Sequence, residues 1–359
     1  MYKKTTLDYI NYKKYPELLA KKLNISLEAV QLYQDCEVID PHTVTYLWKR
    51  LFGYNLAKKH IYRPFGIGIF NQVDFPKVLE ANMSGVVWDI TTNPIHHEKN
   101  RFDVLRRNID TILDDIQKYS TNFQFVRNYK DYLDARKNNK VASFISIQGG
   151  QGIQNKISDL DKIPEVHRIT LVHFTHSKIG ISNFETNKNQ GLSDFGKNFV
   201  EKMVNKNIMV DLSHINRKGF FDALDVMPKN IPAVVTHTGI KGVRDIWRNI
   251  DDEQIKAIAE RNGTIGIIYE PRFLTISALK ASTYDILDHM EHVIKTVGED
   301  YVTLGSDYDG FINTPKDLKD ITYQPIFVQR MLDKNWKEER IRKILGKNFL
   351  RAIELTNGD

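Results

Sequence analysis

Eight short runs rich in β-branched and other apolar residues, with helical patterns between them, constrain this chain more than any other feature. They are Val38–His42, Gly85–Ile90, Ala142–Gln148, Arg168–His173, Ile208–His214, Ile231–His237, Thr264–Tyr269 and Tyr301–Asp307. Most are continuous rather than alternating, as expected of strands covered on both faces in a parallel sheet. Between them, Ser193 caps a helix carrying Phe195, Phe199, Met203 and Val204. Asp251 or Asp252 starts another, with Ile255, Ile258 and Ala259 on one face and Gly263 as its stop. A third spans 285–297, and a fourth, 338–353, is interrupted near Gly346. Strands alternating with helices are βα units, and eight of them predict an α/β fold, a closed (β/α)8 TIM barrel.

Before the first strand, 15–23 and 26–33 read as two short helices, a helical extension (residues 1–35) packed on a barrel of residues 36–359. The aromatic-rich stretch Thr45–Val78 reads as a long first βα loop over the barrel mouth. Such a loop is free to set specificity on a rigid scaffold.

Composition narrows the function. The net charge of +6 comes from lysines interleaved with acids, as in Lys197, Glu201, Lys202 and Lys206. No basic block carries stacking aromatics, so no nucleic-acid partner is expected. No apolar run reaches the 18 or so residues of a membrane span, so no membrane partner is expected. Lys3 and Lys4 are followed by Asp8, Asn11 and Lys13 rather than by the apolar core of a secretory signal, so the expected location is cytoplasmic. A single cysteine, Cys36, excludes a disulfide framework and a thiolate zinc site.

Polar residues close the apolar runs. His42, Gln148, His173, His214, His237 and Asp307 end the first, third, fourth, fifth, sixth and eighth. In a barrel, these C-terminal ends meet at one mouth. Any one of these histidines alone is most simply a hydrogen-bonded structural residue. Four with an aspartate at the same end point to a metal centre, suited to Zn²⁺ and more loosely to Fe or Mn. Asp40, two residues before His42, shares its strand face one layer deeper. Asp89 and Asp211 are further acidic candidates, Asp211 as a group that orients His214 or a neighbour. His96 and His97 fall in an exposed loop after the second strand.

The segments VIDPHTVTYLW, QVDFPKVLEANMSGVVW, ISIQGGQGI, ITLVHF, GLSDFGKNFVEKMVNKNIMVDLSH, VVTHTGIKGVRDIWRNIDDEQIKAIAERNGTIGI, LGSDYDG and ILGKNFLRAI come in an order and spacing that resemble the membrane (renal) dipeptidases. These are zinc peptidases with an amidohydrolase-like barrel, and the resemblance runs from about Val38 to Ile353. It implies that His42, His214 and His237 are the histidine metal ligands. It implies that His173 contacts the substrate carbonyl and the tetrahedral intermediate, and that Arg248 grips the substrate carboxylate. Asp307 would handle the proton of the attacking water and, with Gln148, could join the metal ligands. The family's two-zinc centre also uses an Asp two residues after the first histidine and a bridging Glu. This chain has Val44 and Gln148 there. Valine cannot ligate, and an amide offers one neutral oxygen in place of two anionic ones. Two cations in one low-dielectric pocket repel strongly, so the expected cofactor is one zinc ion rather than two.

The expected function is therefore a dipeptidase-like, metal-dependent hydrolase of a small dipeptide or N-acyl amino acid. A family member that binds a small carboxylate without turnover, or a biosynthetic enzyme running other chemistry on the same site, stays open at this stage. The resemblance also implies a homodimer.

Overall fold

The structure, a computed structural model, describes residues 6–61, 68–91, 98–175, 177–184 and 189–357. Among these residues, nine strands form one parallel sheet: β1 (Ile39–Thr43), β2 (Gly85–Thr91), β3 (Phe123–Phe125), β4 (Val141–Gln148), β5 (Val166–Thr170), β6 (Met209–Asp211), β7 (Ala233–Thr238), β8 (Thr264–Ile267) and β9 (Val302–Leu304). Eight follow one another in the order β1-β2-β4-β5-β6-β7-β8-β9. A parallel bridge between Thr43 and Tyr308, with Val44 N donating to Tyr308 O at 2.8 Å, brings the last edge back to the first. Each of the eight apolar runs overlaps one of these strands, and the fold is the (β/α)8 barrel they predict. The ninth, β3, pairs with the first half of β4, and β5 pairs with the second half. Three residues are too few for a periodicity to show.

Three strands stop short of the polar residue that closes their run. β5 stops at Thr170, β6 at Asp211 and β9 at Leu304, so His173, His214 and Asp307 lie just past the strand ends instead of closing them. The backbone turns there, with φ of 44° at Phe174, 66° at His214 and 58° at Asp307. Those left-handed conformations are incompatible with a strand and uncommon for residues with a Cβ.

The helices follow their capping signals. Ser193 Oγ accepts from Gly196 N (3.0 Å) to open Asp194–Asn205, which buries Phe199, Val200 and Met203. Asp251 forms a reciprocal capping box with Gln254 before Asp252–Ala259. The C-terminal helix widens into a π turn over Lys343–Lys347. There Gly346 lies so close to the barrel floor that a Cβ would sit 2.3 Å from Glu37 O. The N-terminal helices Pro16–Leu23 and Leu27–Gln34 pack on the outer helix Pro325–Asp333. Leu19, Leu23, Val30 and Ile326 form a small apolar cluster there, and Ser26 N donates to Gln329 Oε1 (2.7 Å).

The stretch 45–78 departs from its reading as one loop. It opens with a helix, Tyr46–Phe52, and closes on another, Phe75–Glu80, while residues 62–67 lie outside the described residues. Asp309 ties it to the barrel. Its carboxylate accepts from Thr45 Oγ1 (2.8 Å), Gln72 N (2.9 Å) and Val73 N (3.1 Å).

Gly266 lets the strands close. A Cβ there would lie 2.0 Å from Thr236 O and 2.6 Å from Leu304 O, backbone atoms of the two flanking strands. Gly266→Val is expected to lower stability by about 3 kcal/mol through overpacking. The check is a drop in the urea midpoint, and an unchanged midpoint would contradict this packing.

Candidate active site

The parallel topology places the ends of β1, β4 and β7 and the turns after β5, β6 and β9 at one mouth. There His42 (β1), His237 (β7) and Asp307 converge. One ligating atom from each falls within 4.8 Å of the others, and all three residues are buried. The His42 and His237 rings stack at 3.9 Å between centroids. His42 Nε2 lies 3.4 Å from Asp307 Oδ1, and His214 Nε2 lies 2.8 Å from His237 Nε2. His173 stands edge-on to the His214 ring at 4.7 Å. The tightest three-residue group thus contains His42, and His214 joins it through His237.

Gln148, at the end of β4, accepts from Thr91 Oγ1 (3.1 Å), with its Nε2 3.4 Å from His237 Nε2. Val44 lines the adjoining cavity with an apolar wall. That cavity, ≈350 Å³, is also lined by His173, His214, Arg248 and Asp307. Arg248 comes from the loop after β7. Its Nη2 donates to His237 O (2.8 Å) and stands 3.4 Å from His214 Nε2. His96 and His97 lie outside the described residues.

Below the mouth, the barrel interior carries a charged layer where branched apolar side chains are usual. His42 Nδ1 faces Asp89 Oδ2 at 2.9 Å. Asp89 is gripped by Arg168 Nη2 at 2.8 and 2.9 Å and accepts from Ser146 Oγ. The other guanidinium nitrogen, Nη1, pairs with Asp211. Thr236 Oγ1 donates to Asp211 Oδ2 (2.7 Å), which leaves its lone pair facing His237 Nδ1 at 2.9 Å. Asp211 therefore orients His237, through Thr236, rather than His214. Asp40 lies in the floor, accepting from His42 N (3.2 Å) and Ser306 N (3.3 Å). Sequence reasoning passed over Arg168. A charged residue inside an otherwise apolar, doubly covered strand was the available signal.

These contacts set the protonation of the site. Burial holds His214 and His237 well below the usual imidazole range, reinforced by Arg248 and neighbouring imidazoles. Burial opposes charge on His42 too, but Asp89 and Asp307 outweigh it and raise its pKa to about 9. Burial raises Asp307 against the pull of His42 and Arg248. For Asp211, burial is outweighed by Arg168, Thr170 and Thr236, which hold the carboxyl below its usual range. Burial lowers Arg248 to about 10, still charged at neutral pH.

The donor set fits a divalent ion. His42 Nε2 is buried with no hydrogen-bond partner, and the Nδ1 atoms of His42 and His237 are both engaged below. Both Nε2 atoms are thereby directed at the mouth, beside one carboxylate, where an ion would take the place of the proton on His42. Neutral Gln148 and apolar Val44 supply no charge for a second ion.

A parallel barrel with imidazoles and a carboxylate gathered at its C-terminal mouth is the architecture of metal-dependent hydrolases. The profile of the membrane dipeptidase family (Peptidase family M19) matches residues 27–357, and the chain belongs to that family of metallo-dipeptidases. Dipeptidase tcpJ of Claviceps purpurea is 26% identical over 294 residues, 78% of this chain and 68% of that protein. Among solved structures, the probable dipeptidase PvdM from Pseudomonas aeruginosa superposes with a TM-score of 0.82 at 18% identity, covering 96% of this chain and 100% of that one. A metallopeptidase from Rhodobacter sphaeroides, liganded with a phosphinate mimic of the dipeptide L-Ala-D-Ala, gives 0.77 at 21% identity over 89% of this chain and 99% of that one. Structural similarity at these identities speaks for the fold. Among the described residues, no helix is long and apolar enough to cross a membrane.

Proposed function

We propose that this protein hydrolyses the peptide or amide bond of a small dipeptide or N-acyl amino acid, with one divalent metal ion, zinc, held by His42, His237, Asp307 and His214. The observation that carries this reading is the gathering of His42, His237 and Asp307 within 4.8 Å at the edge of a cavity that Arg248 also lines.

When bound, the ion would supply Lewis acidity to the scissile carbonyl and the attacking water. Asp307, the carboxylate at the mouth, takes the proton from the attacking water. His173, kept neutral by its surroundings, donates an N–H to the oxygen on which negative charge develops. Arg248, charged and fixed by its bond to His237 O, pairs with the substrate carboxylate. The apolar side of the cavity, including Val44, Ile268 and Phe273, receives the substrate side chain.

The test is a panel of dipeptides and N-acyl amino acids assayed before and after chelation. Hydrolysis that disappears with the metal and returns with zinc supports the proposal. The neutral Val44 and Gln148 favour a second reading, a carboxylate binder without turnover. Tight ligand binding by the zinc-loaded protein, with no product from any substrate, would establish that alternative.

Arg248→Ala is expected to raise KM roughly 100-fold with a smaller change in kcat, because it removes a charge-assisted contact made in both ground and transition states. Substrates amidated at the carboxylate should be insensitive to the change. Equal losses on both substrate types would mean that Arg248 does not bind the carboxylate.

A further inference from the structure

Arg168 is fully buried in β5, and its guanidinium reaches the support of both stacked histidines. Nη2 holds Asp89, the acceptor for His42, and also donates to Pro41 O at 3.0 Å. Nη1 holds Asp211, which orients His237 through Thr236. Nη2 also stands 3.4 Å from His42 Nδ1, so the positive charge lies one imidazole ring away from the Nε2 that faces the mouth. We propose that Arg168 is a built-in cation that limits this site to a single divalent ion. Resting on the one-ion reading above, the inference adds a cause beyond the missing ligands.

The physical reason is charge. A carboxylate behind a histidine strengthens it as a metal ligand. Here one guanidinium hydrogen-bonds both such carboxylates and cancels one of their two charges. At the mouth Asp307 stands beside the histidines, while Asp89 faces His42 from below with Arg168 on its carboxylate, and Glu270, which also lines the cavity, pairs with Arg272 (2.7 Å). A second divalent ion would have below it two carboxylates of which Arg168 cancels one charge, Arg248 beside it, and neutral side chains at positions 44 and 148. Arg168 is thus a positioning and charge-setting residue. A purely structural role predicts the opposite sign, since loosening the histidines would weaken metal binding.

The test is titration of metal-free protein with zinc against a competing chelator, with elemental analysis for stoichiometry and thermal melting as the folding control. Arg168→Met should bind the first ion at least tenfold more tightly than wild type. Arg168→Lys, which keeps the charge, should stay within threefold of wild type. Arg168→Met/Asp211→Asn removes one charge of each sign, keeps the interior balanced should the single variant not fold, and should also bind like wild type. Added to Val44→Asp/Gln148→Glu, Arg168→Met should tighten binding of the second ion at least tenfold. Weaker first-ion binding by both folded Met variants would overturn the inference, as would tight uptake of two ions by wild type. Neither result bears on peptide hydrolysis, which the substrate panel tests separately.

Discussion

Replacing His237 with alanine is expected to strip the protein of its divalent ion and to lower kcat/KM on the order of 10³-fold or more, the equivalent of ~4 kcal/mol of transition-state stabilisation. His237 is the hub of the cluster. It stacks on His42 at 3.9 Å, meets His214 at 2.8 Å and is oriented from below by Thr236 and Asp211. Removing its ring deletes one ligand and releases a second, because His214 loses its Nε2 neighbour. His214→Ala leaves the group of His42, His237 and Asp307 intact and should be milder. Folding should be less affected than activity. The deletion takes one contact from the Thr236 hydroxyl, which keeps Asp211, and one from His214 Nε2, which keeps Arg248, a cost of about 1–3 kcal/mol. Metal content by elemental analysis, kcat/KM on the best dipeptide and a melting curve together decide the matter. A folded His237→Ala protein that keeps its metal and hydrolyses at the wild-type rate would move the chemistry elsewhere.

The second large effect is a gain. Val44→Asp with Gln148→Glu adds two anionic ligands at the mouth and is expected to raise metal content above one ion per chain. Both positions are buried, so the new carboxylates have little water to fall back on. Without metal they should destabilise the fold by about 3 kcal/mol or more, the cost of burying charge without a partner. Zinc should restore stability by linkage. The melting temperature of the double variant should therefore depend far more steeply on chelator than that of wild type. The extra ion should be held more weakly than the first while Arg168 stays in place. Unchanged stoichiometry at saturating zinc would show that β1 and β4 do not aim these two positions at a common point.

Chain order, local periodicity and side-chain chemistry carried much of this protein. Eight doubly buried strands cannot be written without continuous apolar runs, so the barrel was readable. Ser193 and Asp251 announce their helices because a side-chain acceptor must replace a missing carbonyl at a helix start. The imidazoles and the aspartate were visible because they interrupt apolar patterns at the ends where a barrel places its chemistry. In the GSDYDG segment the resemblance gives Asp307 its role and leaves Asp309 without one. Asp307 turns into the mouth, and Asp309 holds Thr45, Gln72 and Val73.

Sequence alone therefore determined the barrel and the identity of the residues at its mouth, because those depend on residue type and local spacing, and the family resemblance added that two anionic ligands are replaced at Val44 and Gln148. Tertiary structure alone decided where the strands stop, that His42 and His237 stack, and that Arg168 spans Asp89 and Asp211. Those features arise from contacts between β1, β2, β5, β6 and β7, tens to hundreds of residues apart. In such contacts, desolvation and charge pairing across the barrel outweigh anything a local window can register.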